Sequence, residues 1–114
     1  MNKYSGIDLH SNNCVVVVID DDDRVLCEKR VPNDLERIVA LLAPHRDDLM
    51  GVVVESTFNW YWLVDGLQRA GFDVKLANTA ALDQYSGLKY SGDEHDARHL
   101  AHVLRLGILR TGYI

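Results

Sequence analysis

The fold is decided in residues 4–31, YSGIDLHSNNCVVVVIDDDDRVLCEKRV, where three short segments of strand-forming sequence follow one another. Residues 4–9 predict a first strand, and the β-branched run at 14–20 predicts a buried second strand. The four aspartates at 20–23 indicate a turn, because carboxylates cap and tighten turns. Apolar and polar residues then alternate over 24–31, which predicts the returning arm of a hairpin. The chain therefore begins with three antiparallel strands.

Helices and strands alternate through the rest of the chain. Asn33 and Asp34 are the candidate N-caps of a first helix, because their side-chain oxygens accept the free N–H groups of a first turn. The later elements are, in order, a helix with the apolar stripe Leu35, Ile38, Val39, Leu41 and Leu42, a strand at 51–54 that ends on Glu55, a helix at 60–70 stopped by Gly71, a strand at 72–76, a weakly helical connection at 78–87 and a helix at 93–109. The order βββαβαβα predicts an α/β fold with a mixed sheet covered by helices.

The composition is that of one ordinary globular domain, spanning residues 1–114. Of the 114 residues, 47% are hydrophobic and 25% are charged, as in typical soluble domains. The longest apolar runs are too short to cross a bilayer, and no signal peptide precedes the first strand, so the cytoplasm is the expected compartment. In that compartment Cys14 and Cys27 are predicted to be small core or sheet residues rather than a disulfide.

The net charge restricts how the chain can bind a nucleic acid. A formal charge of −5 argues against a simple basic domain that coats nucleic acid. It is compatible with an enzyme that handles phosphodiesters through metal ions, because such enzymes concentrate carboxylates at the site. Any grip on nucleic acid then requires local basic patches or a second domain.

Four carboxylates stand where a metal centre is expected. Asp8 ends the first strand and Glu55 ends the fourth, each directly after a buried apolar run. Ligands of such sheets collect at the carboxyl ends of strands. Asp93 and Asp96 open the last helix three residues apart, which places both on one face, about 5–6 Å between Cβ atoms. Together they match the oxygen ligands that two Mg²⁺ or Mn²⁺ ions require.

Each acid also has a simpler interpretation. Asp8 alone is more often a turn cap, and Glu55 alone could lie at the solvent edge. Asp93 is a good N-cap, and Asp96 sits where a carboxylate complements the helix dipole. Taken as a set in this order, the four residues are better explained by a shared metal site.

Three motifs in this order resemble one known family. They are GIDLH at residues 6–10, EST at 55–57 followed by WYWLV at 60–64, and GDEHDARHLA at 92–101. They are similar to the motifs of the DEDD transposases, the Piv-type invertase and insertion-sequence one-ten group, and the third is the most specific. The resemblance spans essentially the whole chain. It places the four letters of the family name on Asp8, Glu55, Asp93 and Asp96.

The resemblance implies an RNase H-like, RuvC-like domain of an enzyme that moves or inverts DNA. It implies divalent-metal-dependent cleavage and strand transfer, with the four acids as catalytic metal ligands. A second, C-terminal domain that supplies a serine nucleophile is implied as well, so the native chain is expected to continue past Ile114. Some members are guided by a structured RNA. A homo-oligomer is also expected, and no membrane partner.

The chain departs from the family pattern at two positions. Ser91 stands where the family usually has a lysine, with Lys89 further back, and Phe58 stands where it commonly has a glycine. Lys89, Arg98 and Arg105 are the candidate nucleic-acid contacts.

Other side chains near these motifs have two interpretations. The histidines at 10, 95, 99 and 102 are predicted to lie on the surface or around the site rather than to bind metal. Of Trp60, Tyr61 and Trp62, one is expected to be exposed and free to stack on bases, and the others to join the core.

Three other functions remain open at this point. A free-standing nuclease of the Holliday-junction resolvase kind would share the fold and the acids without a serine domain. An actin-like ATPase or sugar kinase would share the first strand motif, but residues 10–13, HSNN, lack the glycine of its phosphate-holding hairpin. The third alternative is a non-catalytic remnant that binds nucleic acid or dimerises.

Overall fold

The computed structural model describes residues 2–55, 60–77 and 93–106, and in the last range it describes side chains from Ala97 onward. The strands are β1 Lys3–Leu9, β2 Asn13–Asp20, β3 Val25–Pro32, β4 Leu49–Glu55 and β5 Val74–Ala77. The helices are α1 Leu35–Leu42, α2 Tyr61–Arg69 and α3 Asp93–Leu106, with a 3₁₀ helix at Ala43–Asp48 between α1 and β4.

The expected order of elements is confirmed over these residues. A mixed sheet with helices on it is present, and the described ends lie within a few residues of the predicted ones. The 3₁₀ helix is not predicted by the sequence pattern; it begins at Ala43, directly before Pro44, whose missing N–H cannot continue the hydrogen bonding of α1. The predicted weak helix at 78–87 and the predicted end of the last helix at 107–109 lie outside the described residues.

The five strands are ordered β3-β2-β1-β4-β5. The pairs β1–β2 and β2–β3 are antiparallel, whereas β1–β4 and β4–β5 are parallel. In the centre of the sheet Ile7 pairs with Val16 on one side and with Val54 on the other. The carboxyl ends of β1, β4 and β5 therefore lie along the same edge of the sheet.

Both faces of the sheet are covered by helices. Alternate residues of a strand point to opposite faces, so the valine runs of β2 and β4 supply two cores at once. The larger core lies under α1 and α2 and contains Ile7, Leu9, Cys14, Val16, Val18, Ile38, Leu42, Val52, Val54, Leu63, Val64, Leu67, Phe72, Val74 and Leu76. The core under α3 has two clusters, Val15, Val17, Ile19, Ala97 and Ala101 beside Val53, Ala77 and Leu100.

The predicted N-cap of α1 and the predicted glycine stop after α2 are both present in the structure. Of the two candidate caps, Asp34 accepts a hydrogen bond from the N–H of Glu36 at 3.1 Å and so caps α1. After α2 the chain turns through Gly71, whose φ of +95° lies in the left-handed region that glycine tolerates best.

The two cysteines are free thiols, as expected. Cys14 is fully buried in the larger core and Cys27 is half-buried against it. Burial, with a smaller contribution from the Asp8 charge, raises the pKa of Cys14 to about 11, so this thiol stays protonated at neutral pH.

No helix in the described part of the chain has the length and apolar character needed to cross a membrane.

Candidate metal centre

Asp8 is the penultimate residue of β1, and Glu55 is the last residue of its parallel neighbour β4. Ile7 of β1 pairs with Val54 of β4, and each acid is the next residue along its strand. Asp8 is 2% exposed and Glu55 is half-buried. The sheet therefore brings these two predicted ligands side by side at its carboxyl edge, where sequence analysis expected them.

Both acids occupy the face of the sheet that carries α3. Ile7 and Val54 belong to the core under α1 and α2, so the residue after each lies on the opposite face. The residues before them agree, because Gly6 meets α3 and Val53 packs with Leu100 of α3.

Helix α3 runs antiparallel to β1. Its last turn contacts the β2–β3 turn beside the start of β1, where Arg105 Nε lies 2.9 Å from Asp23 Oδ1. Nearer its middle, Arg98 pairs with Glu28 of β3. The first turn of α3 consequently points toward the carboxyl edge of β1.

The register of α3 on the sheet is fixed at Gly6. A Cβ atom at Gly6 would lie 2.2 Å from the carbonyl oxygen of Ala97 and 2.9 Å from the Cβ of Leu100. Positions 93 and 96 each precede one of these two residues by four, which is about 6 Å along the helix. Asp8 lies two residues beyond Gly6, about 7 Å along the strand. The first turn of α3, which contains positions 93 and 96, therefore lies on the Asp8 side of Gly6, while the side chains of Asp93 and Asp96 lie outside the described residues.

The buried carboxylate of Asp8 is in contact with an imidazole. His10 Nε2 lies 3.0 Å from Asp8 Oδ2, and the His10 side chain is 39% exposed. His10 is expected from the sequence on the surface or around the site, and in the structure its exposed imidazole contacts Asp8. A charge as buried as Asp8 needs a polar or ionic partner, because leaving water is costly for a carboxylate.

Asp20 shows what a structural aspartate looks like in this fold. It is 5% exposed at the end of β2, and its Oδ1 accepts the backbone N–H groups of Asp22 at 2.8 Å and Arg24 at 3.0 Å. Burial acts to raise the pKa of Asp20, but these N–H groups and the Arg24 guanidinium hold it below its ordinary value. The predicted turn at 20–23 is therefore a structural one.

The donor set at the carboxyl edge fits a hard divalent cation. Asp8 and Glu55 offer carboxylate oxygens, which Mg²⁺ and Mn²⁺ prefer. Among the side chains that the structure describes, no cluster of three or more His, Cys, Asp or Glu forms a metal site. Of the four predicted ligands, the structure describes the side chains of Asp8 and Glu55, whereas those of Asp93 and Asp96 lie outside the described residues.

The candidate nucleic-acid contacts on α3 make ion pairs within the chain. Arg98 pairs with Glu28, and Nε and Nη2 of Arg105 donate to the carboxylate of Asp23. Their role in nucleic-acid binding stays a prediction, and Lys89 lies outside the described residues.

His102 of α3 lies away from the carboxyl edge. His102 Nδ1 is 2.7 Å from Asp23 Oδ2, at the opposite end of the sheet from Asp8. Burial and, to a smaller degree, the charge of His102 lower the pKa of His99 below its ordinary value. The side chain of His95 is not among those described.

The three aromatic residues at the start of α2 divide as expected. Trp60 and Trp62 pack against the larger core, whereas Tyr61 is 65% exposed. The rings of Trp60 and Tyr61 stack with centroids 4.2 Å apart. One exposed ring thus stands beyond the end of β4, and base stacking on it stays a prediction.

One contributor to the site was missed by sequence analysis. The side chain of Asn33 donates from Nδ2 to the carbonyl oxygen of His10 at 2.8 Å, which ties the β1–β2 loop to the start of α1. Asn33 was considered only as a helix cap, and its spacing gives no signal for a contact across the sheet edge.

Solved structures with the same fold include two of RuvC. Thermus thermophilus RuvC in complex with a Holliday junction substrate matches with a TM-score of 0.74 and 14% identity, over 98% of this chain and 100% of that chain. Another T. thermophilus RuvC structure matches with a TM-score of 0.63 and 16% identity, over 96% of this chain and 99% of that one. These matches confirm the RNase H-like, RuvC-like fold.

A more distant match shares part of this architecture. A ROK family glucokinase from Streptomyces griseus, solved with glucose and AMPPNP, matches with a TM-score of 0.51 and 18% identity, over 74% of this chain and 35% of that chain. At this identity the likeness concerns the fold alone. No curated protein matches the sequence.

The family assignment comes from the sequence match over nearly the whole chain. The transposase model of the IS110-type DEDD family matches residues 5–112, which include all four predicted acids. This range also covers both strand ends and the whole of α3. The chain belongs to the DEDD transposase family, whose DNA-cleaving enzymes have the RuvC-like fold described above.

Proposed function

We propose that Asp8, Glu55, Asp93 and Asp96 bind two Mg²⁺ or Mn²⁺ ions and that the chain is the catalytic domain of a DNA transposase. The observation that carries this proposal is the placement of Asp8 and Glu55. Each of them directly follows one of the paired residues Ile7 and Val54 of the neighbouring strands β1 and β4. Both lie on the face of the sheet that α3 covers, and the first turn of α3 points toward the carboxyl edge of that face. Family membership supports divalent-metal chemistry in general, and the ligands and the number of ions are our assignment.

The residues at this edge perform three tasks in the proposed reaction. Asp8 and Glu55 supply negative charge from two strands of one rigid sheet, so the spacing of their backbones is fixed. The positions of Asp93 and Asp96 face them from the N-terminus of α3, where the helix dipole favours acidic side chains. Two bound ions supply activation of the nucleophile and stabilisation of the leaving oxygen in phosphodiester cleavage.

The proposed partner is DNA. Because the chain carries a net charge of −5, its grip on phosphates must come from local groups, for which Lys89, Arg98 and Arg105 are the candidates. Arg98 and Arg105 would have to exchange their present carboxylate partners for phosphates. We further propose that residues 1–114 form one domain of a longer, oligomeric, cytoplasmic transposase with a serine-bearing domain, and that a structured guide RNA is an additional partner.

The direct test of the metal site is calorimetric titration of the chain with Mn²⁺. We expect binding by the wild type and its loss in Asp8→Asn and in Glu55→Gln, because each substitution removes an anionic oxygen ligand. Asp20→Asn is the matched control, since Asp20 is also a buried aspartate at a strand end but lies at the other end of the sheet. It should bind Mn²⁺ like the wild type.

Two results would contradict the assignment. Equal Mn²⁺ binding by the wild type and Asp8→Asn would exclude Asp8 as a ligand. Absence of binding in the wild type would show that residues 1–114 alone do not form the site, and would favour a non-catalytic role for the isolated domain.

A second candidate function is a free-standing junction nuclease. The observation in its favour is that the chain aligns with the whole length of the RuvC structure solved with a Holliday junction. Incubation of the chain alone with a four-way DNA junction and Mn²⁺ separates the two functions. Cleavage at the junction would support the nuclease, whereas no cleavage together with Mn²⁺ binding would support a transposase domain that needs its second half.

A further inference from the structure

We propose that His10 is a positioning residue of this metal centre and that its imidazole holds the Asp8 carboxylate in the orientation in which it binds a divalent ion. This inference rests on the proposed function, because it assumes that Asp8 is a metal ligand. It adds a residue that lies outside the four acids.

The contact with His10 is compatible with metal binding by Asp8. His10 Nε2 lies 3.0 Å from Oδ2 of Asp8, and a carboxylate has about four lone-pair sites on its two oxygens, so one hydrogen bond does not prevent the group from coordinating an ion. The torsion that turns an aspartate carboxylate is broad, because it joins an sp³ to an sp² carbon. A hydrogen bond to one oxygen therefore fixes the plane of the group more sharply than the rotamer does.

His10 is itself held from two directions. Its backbone N–H donates to the carbonyl oxygen of Asn13 at 2.9 Å, which closes the β1–β2 loop. Its carbonyl oxygen accepts from Nδ2 of Asn33 at 2.8 Å, and the backbone N–H of Asn33 donates to the carbonyl oxygen of Asn12 at 3.4 Å. The loop is thus tied to the segment before α1, and the imidazole starts from a fixed backbone.

The same fold contains a matched pair at the other end of the sheet. His102 contacts Asp23 through Nδ1 at 2.7 Å, and its side chain is 38% exposed, against 39% for His10. The aspartates differ, since the side chain of Asp23 is 40% exposed and that of Asp8 is 3% exposed. His102 therefore controls for the loss of an exposed imidazole beside a carboxylate.

The test is calorimetric titration of the wild type, His10→Ala, His10→Gln, His102→Ala and Asp8→Asn with Mn²⁺ and Mg²⁺, and in parallel with Zn²⁺ and Ni²⁺. Loss of a group that orients a metal ligand typically weakens binding by about 10- to 100-fold, and we expect His10→Ala to lose about 10-fold for Mn²⁺ and Mg²⁺. His10→Gln should recover most of the affinity, because its amide nitrogen reaches the position of Nε2. His102→Ala should bind like the wild type.

A variant of the neighbouring residue Asn33 provides a second test of the inference. Asn33→Ala keeps the imidazole of His10 but removes the hydrogen bond to its carbonyl oxygen, so its affinity for Mn²⁺ should fall between those of the wild type and His10→Ala. This test holds if His10→Ala folds poorly. Thermal unfolding monitored by circular dichroism, without metal, checks that each variant is folded.

Three outcomes would overturn the inference. Unchanged affinity in His10→Ala and Asn33→Ala, with binding abolished by Asp8→Asn, would reject the role of His10 and leave the metal site intact. Retained binding in Asp8→Asn would instead reject the proposed function on which it rests. Selective loss of Zn²⁺ or Ni²⁺ binding in His10→Ala, with Mg²⁺ unaffected, would identify His10 as a direct ligand, because imidazole favours those ions.

Discussion

Asp8 and Asp20 are two buried aspartates at strand ends, and their surroundings differ. Asp20 accepts backbone N–H groups of its own turn, which stabilise its ionised form. Asp8 contacts the exposed imidazole of His10, and it lies on the same face and at the same edge of the sheet as Glu55. The surroundings of Asp20 are those of a turn residue, whereas those of Asp8 are compatible with the proposed role as a metal ligand.

This difference predicts opposite effects on stability. In metal-free buffer, Asp8→Asn should unfold at the same temperature as the wild type or higher, because it removes a buried charge beside another carboxylate while keeping the shape. Asp20→Asn should unfold at a lower temperature. Mn²⁺ at about 100 times its dissociation constant should stabilise the wild type by about 2.7 kcal/mol and leave Asp8→Asn unchanged.

The measurement is thermal and urea unfolding of the three proteins with and without Mn²⁺. A large loss of stability in metal-free Asp8→Asn, on the scale of about 0.5–2 kcal/mol that a helix or turn cap contributes, would favour the capping interpretation of Asp8.

At the residue scale the sequence predicted positions better than contacts. An acid directly after an apolar run is enough to locate Asp8 and Glu55 at strand ends. The contact between His10 and Asp8 depends on how the β1–β2 loop folds back, and the bond from Asn33 to His10 depends on where α1 begins. Neither is encoded in a local spacing.

Helix α3 lies on β1 at a distance that only glycine permits. A methyl group at Gly6 would overlap the backbone of Ala97 and approach the nitrogen of Ala101 to 2.8 Å. Because the colliding atoms belong to the backbone, the whole helix would have to move. Gly6 therefore determines how closely the first turn of α3 approaches the carboxyl edge.

Gly6→Ala is expected to destabilise the fold by about 1–3 kcal/mol, as overpacking of a close-packed core does. Gly51→Ala is the matched control: Gly51 lies on the neighbouring strand under the same helix, and an added Cβ would stand 3.4 Å from Leu104 Cδ2, an ordinary contact. Its effect should stay within about 1 kcal/mol. Urea unfolding measures both, and an equal effect of the two substitutions would contradict the close approach at Gly6.

The direction of α3 is an element-scale feature that the sequence left open. Helical spacing identifies which face of α3 is apolar, and Ala97, Leu100 and Ala101 are indeed buried. It does not say which way the helix runs across the sheet. That direction is visible in the contacts of Arg98, His102 and Arg105 with the β2–β3 hairpin.

At the scale of the whole molecule, the topology explains why distant acids meet. After β3 the chain crosses one face of the sheet through α1 and returns as β4 beside β1, parallel to it. Glu55 thereby becomes a neighbour of Asp8, although more than forty residues separate them in the chain. Return of the chain as α3 on the other face brings a third element to the same edge.

The sequence predicted the class of this topology and not its details. The succession of three antiparallel strands and alternating helices implies a mixed α/β sheet, and the family motifs imply the RuvC-like fold that the structural matches confirm. The position of β1 between β2 and β4 in the sheet does not follow from the order of the elements along the chain, because several arrangements of the strands in a sheet are compatible with it.

The proposed metal centre requires carboxylates from β1, β4 and α3 to converge on shared metal ions. The most direct measurement is a crystal structure of the chain with Mn²⁺, in which anomalous scattering locates the ions. We expect anomalous peaks at the carboxyl edge, within metal–oxygen bonding distance of both Asp8 and Glu55 and next to the first turn of α3. Anomalous peaks confined to other surfaces, such as the aspartates at 20–23, with none between Asp8 and Glu55, would contradict it.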